Sequence, residues 1–282
     1  MFLLLIVITL FLIAYGLARW QARLGRPDWR KDVLAAGLLA LACMGYFWRI
    51  LFDGAAMPAD GGDLASFLWP TYRFAADSLR AGSWPLWNPH LYSGAPHVAD
   101  IQAGFLYPAN LLLFLLYPDF GVKAMQGLSI AHLWWAGLGM YVFLRSLRWG
   151  DKHDEQIGRP ASLAAGVAFA FSDPFWVHFG NLNYIAVASW LPWVMACFVR
   201  ALGSKGAGER GSAGEGDEGN GETREKDSTD HRSLIPDYRS LGWAALGGLL
   251  LGVATLAGHI QATLFIGMAA ALYGVFWLLG AV

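Results

Sequence analysis

Cysteine and charge are scarce in this sequence. Only two of its 282 residues are cysteines, and Cys43 and Cys197 both lie in apolar stretches, so neither a disulfide framework nor a cysteine-based metal site is expected. Charged residues make up 15% of the chain and the net charge is -1; the sequence lacks the basic patch of a nucleic-acid-binding protein. It also lacks a Gly-rich nucleotide-binding loop. These absences exclude a nucleic-acid partner and argue against a soluble nucleotide as substrate.

Apolar residues dominate the chain instead. Hydrophobic residues make up 56% of it and aromatic residues 15%, with 14 Trp, which is far above the level of a soluble domain. Several windows reach the roughly 20 mostly apolar residues that cross a bilayer. We therefore predict an all-α, polytopic transmembrane bundle of about six spanning helices, located in the cell membrane and surrounded by membrane lipids.

The predicted crossings follow the apolar runs. The run Met1–Leu17 lacks the positive n-region and the cleavage site of a secretory signal, so we expect a retained helix. This run begins at the first residue and the last helix ends at Val282 without a polar tail, so the chain looks like the amino-terminal portion of a longer protein. The further predicted crossings are Val33–Phe52, Val122–Leu147, Ala161–Val177, Ile185–Leu202, Leu241–Ala257 and Ala262–Leu279.

The distribution of Lys and Arg predicts the orientation. These residues concentrate around 19–32, 145–159 and 203–240, and the positive-inside rule places such segments in the cytoplasm. The third segment includes GSAGEGDEGNGETREKDSTD and is expected to be disordered, because it cannot bury enough apolar surface to fold. The predicted organisation is two helices in 1–52, a large outer loop in 53–121, three helices in 122–202, the disordered cytoplasmic loop in 203–240 and a helix pair in 241–282.

The outer loop contains three informative stretches. DLASFLWPTYRFAADSLRAG, from Asp63 onward, spaces Leu64, Leu68 and Tyr72 along one helix face, which predicts one or two interfacial helices that cover the bundle as a lid. SWPLWNPHLYSG carries two Trp and two Pro, which predicts a rigid, extended piece anchored at headgroup level. Phe105–Leu116 is too short for a crossing and is expected to be re-entrant or interfacial.

Polar residues converge on the predicted outer side, although the orientation was drawn from Lys and Arg alone. Any single one of them could be an ordinary solvated turn residue. His259 and Gln261 are stronger candidates, because a short turn between two apolar helices needs neither and ionisable groups at membrane depth are functional candidates. The polar residues predicted on this side are Asp60, Asp63, His97, Asp100, Gln102, His178, Asn181, Asn183, His259 and Gln261.

Two carboxylates of the outer loop are candidate catalytic groups. Asp63 precedes the lid helix, so it is either a helix N-cap or a general base with a raised proton affinity at the rim of a membrane cavity. Asp100 could act in the same way, or hold a metal ion together with His97. An Asp and a His three residues apart are a weak metal signal.

Three separate elements resemble one known family. The stretch from GDLASFLWPTYRFAADSLRAG through LWNPHLYSG to ADIQAGFLYP resembles the first outer loop of the bacterial YfhO-like membrane proteins. HFGNLNYIAVASWLPWVMA resembles the polar turn and Trp-Leu-Pro helix of that family, and LAGHIQATLF resembles its Gly-His-x-Gln turn. The resemblance covers about Asp53 to the end of the chain. Family members are much longer, and the low-complexity loop looks like an insertion.

The resemblance implies a fold and a function. The YfhO-like family is similar to the C-type glycosyltransferases, which use a lipid-phosphate-linked sugar and carry an essential acidic residue in the first outer loop. The expected function is therefore inverting transfer of a sugar from a polyprenyl-phosphate donor to a cell-envelope acceptor, on the extracytoplasmic face. Asp63 is the position matched to the acidic residue, with Asp100 second.

The remaining candidates are assigned to substrate binding. The developing phosphate charge needs a cation, which either Arg73 or Arg80 or a divalent ion held by Asp63 and Asp100 could supply. The sequence does not choose between them, and no resident metal site is assigned. The other predicted substrate-binding residues are His97, Gln102, His178, Asn181, His259 and Gln261.

Two other functions are compatible with the sequence. A transporter or lipid-handling protein would use the same outer polar residues to bind cargo without making a bond, and polar or broken helices near the midplane would be expected. A membrane scaffold with a disordered cytoplasmic arm would account for 203–240 but leaves the outer polar residues unexplained. We therefore favour the enzyme and keep the transporter as the alternative.

Overall fold

The computed structural model describes residues 29–58, 62–149, 155–203 and 238–280, and these are mostly helical. The chain begins with α1 (Trp29–Tyr46), which is followed after a break at Phe47 by the short α2 (Trp48–Phe52). The prediction of one continuous helix over Val33–Phe52 is therefore wrong in detail. Several predicted features lie outside the described residues, namely the helix Met1–Leu17, Asp60 and most of the loop 203–240.

Four helical segments are long and apolar enough to cross a membrane, among the described parts of the chain. They are Val122–Ser146, Leu182–Leu202, Tyr238–Leu256 and Ile260–Trp277. The first contains α5 (Val122–Ser146), and the second is made of α8 (Leu182–Ala188) and α9 (Leu191–Gly203). The last two correspond to α10 (Tyr238–Leu256) and α11 (Ile260–Gly280). The described part of the protein is thus mostly helical with four candidate membrane spans.

One predicted crossing is shorter than expected. Ala161–Val177 is divided into α6 (Arg159–Ala170) and α7 (Asp173–Val177). The 12 residues of α6 extend about 18 Å at 1.5 Å per residue, short of the roughly 30 Å of hydrocarbon. The break has a local cause, because Pro174 has no N–H with which to continue the hydrogen bonding of α6. Proline is well tolerated in the first turn of a new helix, and α7 begins directly after the extended Ser172.

The centre of the bundle is formed by α5 and its neighbours. This helix contacts α1, α6 and α9, and a Cβ placed at Gly137 of α5 would lie only 2.9 Å from the Gly166 carbonyl oxygen of α6. Glycines at this contact let the two backbones approach closely, as in other membrane helix pairs. By contrast, the candidate spans of α10 and α11 are only 17% and 11% buried, so this helix pair lies at the periphery of the described bundle.

Residues 62–116 form a compact layer over one end of the bundle. A π-helical turn (Leu64–Leu68) runs into α3 (Trp69–Arg80), and a 3-10 turn (Ile101–Ala103) precedes α4 (Pro108–Leu116). Leu64, Leu68 and Tyr72 are fully buried on one face, as the helical spacing predicts. The nine residues of α4 are too few to cross the hydrocarbon, as predicted for this segment.

The Trp-Pro stretch is a hairpin and not the extended piece that was predicted. Its strands β1 (Trp87–Asn88) and β2 (Ala95–Pro96) pair in antiparallel register, and the Trp87 ring covers Gly94, whose φ of 117° is unfavourable for other residues. Apolar side chains project outward from the hairpin, and these are Trp84, Leu86, Trp87 and Tyr92. Exposed Trp and Tyr are typical of headgroup-level anchors.

The two ends of the bundle differ in chemistry. At one end, which we call the basic end, Asp32 of α1 accepts hydrogen bonds from the Tyr141 hydroxyl and from Arg159 Nε, the latter at 3.0 Å. A short ladder of β3 (Arg148–Trp149) with β4 (Glu155–Gln156) lies between α5 and α6. The opposite end carries residues 53–58, 62–121, 171–181 and 257–259, and we call it the loop end.

Candidate functional site

Three buried polar side chains meet at the loop end. The Tyr72 hydroxyl donates a hydrogen bond to Asn183 Oδ1 at 2.8 Å and accepts one from Asn110 Nδ2 at 2.8 Å. The Asn110 amide also donates to the Gly104 carbonyl at 3.0 Å, and the Asn183 amide donates to the Gln102 carbonyl at 2.5 Å. We call Tyr72, Asn110 and Asn183 the polar hub. Because its members satisfy one another, it fixes three distant chain segments relative to each other.

The chemistry of the hub is neutral. Tyr72, Asn110 and Asn183 are at most 4% exposed, and burial raises the pKa of Tyr72, with the Asn110 hydrogen bond acting in the opposite direction. Tyr72 therefore keeps its proton at physiological pH and donates to Asn183. The hub is a rigid support and not an acid or a base.

The turn between α10 and α11 lies directly on the hub. Gly258 has φ +93°, and a Cβ at this position would overlap the Ile101 carbonyl oxygen and lie 3.2 Å from Asn183 Nδ2. On the facing turn, Gly104 has φ +52° and a Cβ there would lie 3.2 Å from the Ala257 carbonyl oxygen. Both positions require glycine for backbone conformation and for close approach. The structure thus joins the three sequence elements that the family resemblance singled out.

Two predicted histidines flank one tyrosine beside this turn. The His178 ring stacks on Tyr184 with centroids 4.0 Å apart, and His259 meets Tyr184 edge-on at 5.2 Å. His178 Nδ1 lies 2.9 Å from the Pro174 carbonyl and must carry the proton, whereas His259 Nδ1 accepts the Ala262 N–H at 3.3 Å. In the neutral rings, Nε2 is then an acceptor on His178 and a donor on His259.

The electrostatic state of His259 follows from its surroundings. Burial lowers the pKa of His259, and the nearby His178 lowers it further. His259 is therefore neutral at physiological pH and suited to hydrogen bonding with hydroxyl groups instead of neutralising an anion. Both rings are partly exposed, so a bound molecule can reach them.

Asp100 lies next to the hub. Its carboxylate caps the 3-10 turn by accepting the Gln102 N–H at 2.9 Å, and the carbonyl of the same Gln102 is bound by Asn183. The Asp100 side chain is partly exposed. Its other carboxylate oxygen, Oδ2, forms no hydrogen bond within the described part of the chain.

Among the other predicted residues, Asn181 caps α8 through the Tyr184 N–H, and the Gln102 and Gln261 side chains are exposed.

Asp63 differs from Asp100 in its surroundings. It precedes the π-helical turn with helical backbone dihedrals and forms no side-chain capping hydrogen bond, so the N-cap interpretation is wrong. Its side chain is exposed, and the described residues do not supply the desolvation expected of a general base. The structure does not bring Asp63 into the hub.

Arg73 and Arg80 hold α3 against the segment that precedes α5. Arg80 Nη2 lies 2.8 Å from Asp119 Oδ1, and Arg73 Nη1 donates to the Pro118 carbonyl at 2.5 Å. Arg73 also lies 3.4 Å from Asp77. The Arg80 hydrogen bond and charge lower the pKa of Asp119, with a smaller contribution from Arg73. Both candidate cations are therefore engaged by carboxylates, although a guanidinium has five N–H donors and can bind more than one partner.

His97 is buried among aromatic rings. It is 3% exposed, contacts Phe74 and Phe105 edge-on at 5.1 and 6.2 Å, and its Nε2 has no hydrogen-bond partner. Burial lowers the pKa of His97, while the charge of Asp100 opposes this. Within 29–58, 62–149, 155–203 and 238–280, no group of three or more His, Cys, Asp or Glu side chains could hold a metal ion.

A second series of hydrogen-bonded side chains lies inside the bundle, and the sequence analysis does not predict it. Trp190 Nε1 donates to the Tyr107 hydroxyl at 3.1 Å, which lies 2.7 Å from His132 Nε2, and His132 Nδ1 lies 2.8 Å from the Leu128 carbonyl. The His132 proton is therefore on Nδ1, and the Tyr107 hydroxyl donates to Nε2. A lone histidine in the apolar helix α5 was the available signal.

The loop end therefore combines a rigid neutral hub with a partly exposed carboxylate and two accessible imidazoles. No protein-family model, curated protein or solved structure matches the chain. The interpretation of the site rests on its own geometry and on the sequence elements that it unites.

Proposed function

We propose that this protein is a C-type membrane glycosyltransferase, which transfers a sugar from a polyprenyl-phosphate donor to a cell-envelope acceptor on the outer side of the cell membrane. The observation that supports this most directly is the meeting of Asp100, Asn183 and Gly258 at the loop end. These residues come from three separate chain segments, and Asn183 and Gly258 both contact the backbone of residues 101–102, next to the partly exposed Asp100 carboxylate. Such convergence of polar groups on rigid elements is typical of a binding or catalytic site.

In the proposed mechanism Asp100 is the general base. The acceptor hydroxyl gives its proton to the free carboxylate oxygen of Asp100, and its oxygen attacks the anomeric carbon of the donor sugar. The bond between that carbon and the phosphate oxygen breaks, and polyprenyl phosphate leaves with the bonding electrons. Attack opposite the leaving group inverts the anomeric centre. The hydrogen bond from the Gln102 N–H fixes the carboxylate for this step.

Asp63 is the second candidate for the general base in this mechanism, after Asp100. It is matched to the acidic residue of the C-type glycosyltransferases, but it is exposed and forms no side-chain hydrogen bond at the start of its helix. A base acts on a substrate within hydrogen-bond reach, so Asp63 requires an acceptor bound over the π-helical turn. The comparison of the two carboxylates is therefore the central test.

Arg73 and Arg80 are the proposed partners of the donor phosphate. Each shares its guanidinium with Asp119 and retains donors for bidentate phosphate contacts. A divalent cation held by Asp63 and Asp100 is the alternative source of positive charge. The arginines are preferred, because Asp100 lies next to the hub and Asp63 does not, and the described residues contain no three-ligand group.

The neutral polar groups are proposed to bind sugar or acceptor hydroxyls. His178 and His259 offer an acceptor and a donor nitrogen on either side of Tyr184, and the Gln102 and Gln261 side chains are exposed beside them. Paired donors and acceptors next to an aromatic face suit a carbohydrate. The His97 imidazole is buried and therefore not accessible to a substrate, so its proposed role is to support the position of Asp100.

Transport or lipid handling is the second candidate function, and His132 favours it. An ionisable side chain inside a membrane span marks a transport pathway in many membrane proteins, and α8 and α9 are separated by a break at Ser189 and Trp190. Both His132 nitrogens are already hydrogen-bonded, however. No ring atom is left to bind cargo, and we therefore rank this function below the enzyme.

The test is a transfer assay with purified protein in vesicles. Labelled sugars on polyprenyl phosphate are offered with membrane acceptors, and initial rates are compared for the unaltered protein, Asp100→Asn and Asp63→Asn. We expect Asp100→Asn to lose transfer by a factor of about 100 or more while retaining donor binding. Asp53→Asn is the matched control, because Asp53 is also an exposed carboxylate of this loop and, within the described residues, its ion-pair partner is the helix neighbour Arg49.

The outcomes separate the mechanisms. If only Asp63→Asn loses sugar transfer, the general base is Asp63 and not Asp100. Loss in neither variant would remove both carboxylates from the chemistry. If the unaltered protein binds the donor lipid and moves it between leaflets but makes no product with any acceptor, the enzyme proposal fails and the transporter replaces it.

A further inference from the structure

A groove outside the hub opens at the loop end between α1, α6 and α7. Its volume is about 620 Å³, and it is lined by Ala42, Tyr46, Val167, Phe171, Asp173 and Trp176. This volume is within the range of roughly 300 to 1,000 Å³ that is typical of small-molecule sites. None of these residues belongs to the hub or to the proposed substrate contacts.

The lining changes in character along the groove. Because α1 and α6 both run from the basic end toward the loop end, Ala42 and Val167 lie deeper in the bundle than Tyr46 and Phe171. Each of these pairs is separated by four residues, or about 6 Å of helix. The deep part is therefore aliphatic, and the part nearest the loop end is aromatic. This gradient fits an amphiphile with its chain directed into the membrane.

The mouth of the groove is an aromatic cluster with one carboxylate. The Tyr46 ring meets Phe171 at 5.0 Å and Trp176 at 5.4 Å, both edge-on. Asp173 is the single charged residue of the lining, it is exposed, and within the described residues it has no ion-pair partner. An acidic residue in the first turn of α7 also stabilises that helix, but this does not account for the aromatic rings beside it.

Charge complementarity identifies the occupant. Aromatic faces next to a carboxylate attract an ammonium group through cation–π and ionic contacts, whereas the carboxylate repels a headgroup that carries a phosphate and no amine. The tyrosine and tryptophan also belong to the residue types that lie at headgroup level. We propose that this groove binds a membrane lipid with an ammonium headgroup, its acyl chain against Ala42 and Val167 and its amine at Asp173.

This lipid is different from the glycosyl donor. The donor carries a sugar in place of an amine next to its phosphate, so it lacks the group that Asp173 attracts. The groove would therefore retain an amine-bearing lipid whether or not the protein catalyses sugar transfer, and failure of one proposal leaves the other standing.

The test measures lipid retention. Purified protein is stripped with an uncharged detergent, reconstituted in vesicles of phosphatidylethanolamine and phosphatidylglycerol with identical acyl chains in equal amounts, and re-extracted. Mass spectrometry then gives each lipid per protein. We expect the unaltered protein to retain phosphatidylethanolamine preferentially, and Asp173→Asn to lower its retention by about two- to fivefold. Ala42→Phe, which fills the groove, should lower it as well.

Two controls make the result specific. Asp53→Asn removes another exposed carboxylate at the loop end, and Ala244→Phe places the same ring on the exposed surface of α10; both should retain lipid as the unaltered protein does. Thermal unfolding in detergent verifies that each variant is folded. Equal phosphatidylethanolamine retention by the unaltered protein and Asp173→Asn would overturn the proposal, and so would equal retention of phosphatidylglycerol by the unaltered protein.

Discussion

The Tyr72 hydroxyl and the Asn183 side chain are 111 residues apart in sequence and 2.8 Å apart in the structure. Through this contact α3 is attached to the candidate membrane span that begins with α8. Asn183 also donates to the Gln102 carbonyl, so a single amide connects α3, the Asp100 turn and the bundle.

The first prediction concerns this amide. Asn183→Leu preserves the approximate volume but leaves the Gln102 carbonyl without its donor and the Tyr72 hydroxyl without its acceptor. We expect the free energy of unfolding to fall by about 2 to 4 kcal/mol, measured by denaturant titration in detergent. In a double-mutant cycle with Tyr72→Phe, the coupling should be about 0.5 to 3 kcal/mol. Strict additivity would contradict the proposed coupling.

The second prediction concerns the turn above the hub. Gly258→Ala places a Cβ against the Ile101 carbonyl at φ +93°. Backbone strain and overpacking should together lower the free energy of unfolding by about 2 to 4 kcal/mol. Gly252→Ala in α10 is the control, since nothing lies within 4 Å of its Cβ, and it should be neutral or slightly stabilising. Equal effects of the two substitutions would refute the close contact between the turns.

The third prediction concerns the buried chain through Tyr107. Tyr107→Phe leaves both His132 Nε2 and the Trp190 N–H without a partner, which should lower the free energy of unfolding by about 1 to 3 kcal/mol. Tyr92→Phe is the matched control, because Tyr92 is 87% exposed, and its effect should stay within about 0.5 kcal/mol. A neutral result at Tyr107 would mean that the hydroxyl contributes no net stability.

The fourth prediction is a pH dependence. Burial lowers the pKa of His97 below its ordinary value near 6.5, so at a pH between the two values the unfolded chain binds a proton that the folded protein does not. Above about pH 6.5 His97 is neutral in both the folded and the unfolded chain and does not oppose folding. As the pH falls below that value, the free energy of unfolding should decrease. Unfolding free energies at pH 7.5 and 5.5 measure this loss.

The matching substitution is His97→Leu, which should reduce the difference between the unfolding free energies measured at pH 7.5 and at pH 5.5. His90→Leu removes an exposed histidine of the same hairpin and serves as the control; it should leave the difference unchanged. If both variants behave alike, the acid sensitivity does not come from burial of His97.

The fifth prediction rests on the proposed function. Asp119 partly neutralises Arg73 and Arg80, so Asp119→Asn should strengthen binding of a polyprenyl-phosphate donor, and Arg80→Gln should weaken it, each by about two- to fivefold. Donor affinity at constant ionic strength is the measurement, with Asp53→Asn as control. Unchanged affinity in both variants would remove this cluster from the donor site.

The helices of this protein could largely be predicted from hydrophobicity and charge. The crossing predicted at Val122–Leu147 differs by one residue from α5 (Val122–Ser146), because an apolar run bounded by polar residues defines a long helix well. The predicted crossing Ala161–Val177 missed the break before Asp173. A sequence window averages over such a break, whereas the missing N–H of one proline, Pro174, is enough to interrupt the helix.

The candidate site was only partly accessible to sequence reasoning. Asp100, Gln102 and His259 were identified, but Asn110, Tyr107 and His132 were not, because their hydrogen-bond partners are 25 to 83 residues distant. A polar residue in an apolar helix signals that some partner exists, and the sequence does not say which one. The roles assigned to the site residues stay predictions until variants are measured.

The contact of Gly258 with Ile101 has a consequence for biogenesis. The Asp100 turn and Tyr72 of α3 are synthesised about 160 and 190 residues, respectively, before Gly258. A ribosome-bound chain that has passed Asn183 therefore already holds both segments but lacks the turn that packs on them. The site is then completed only when the pair of α10 and α11 packs against the bundle. Packing of this pair is thereby the step at which the nascent chain acquires its finished loop end.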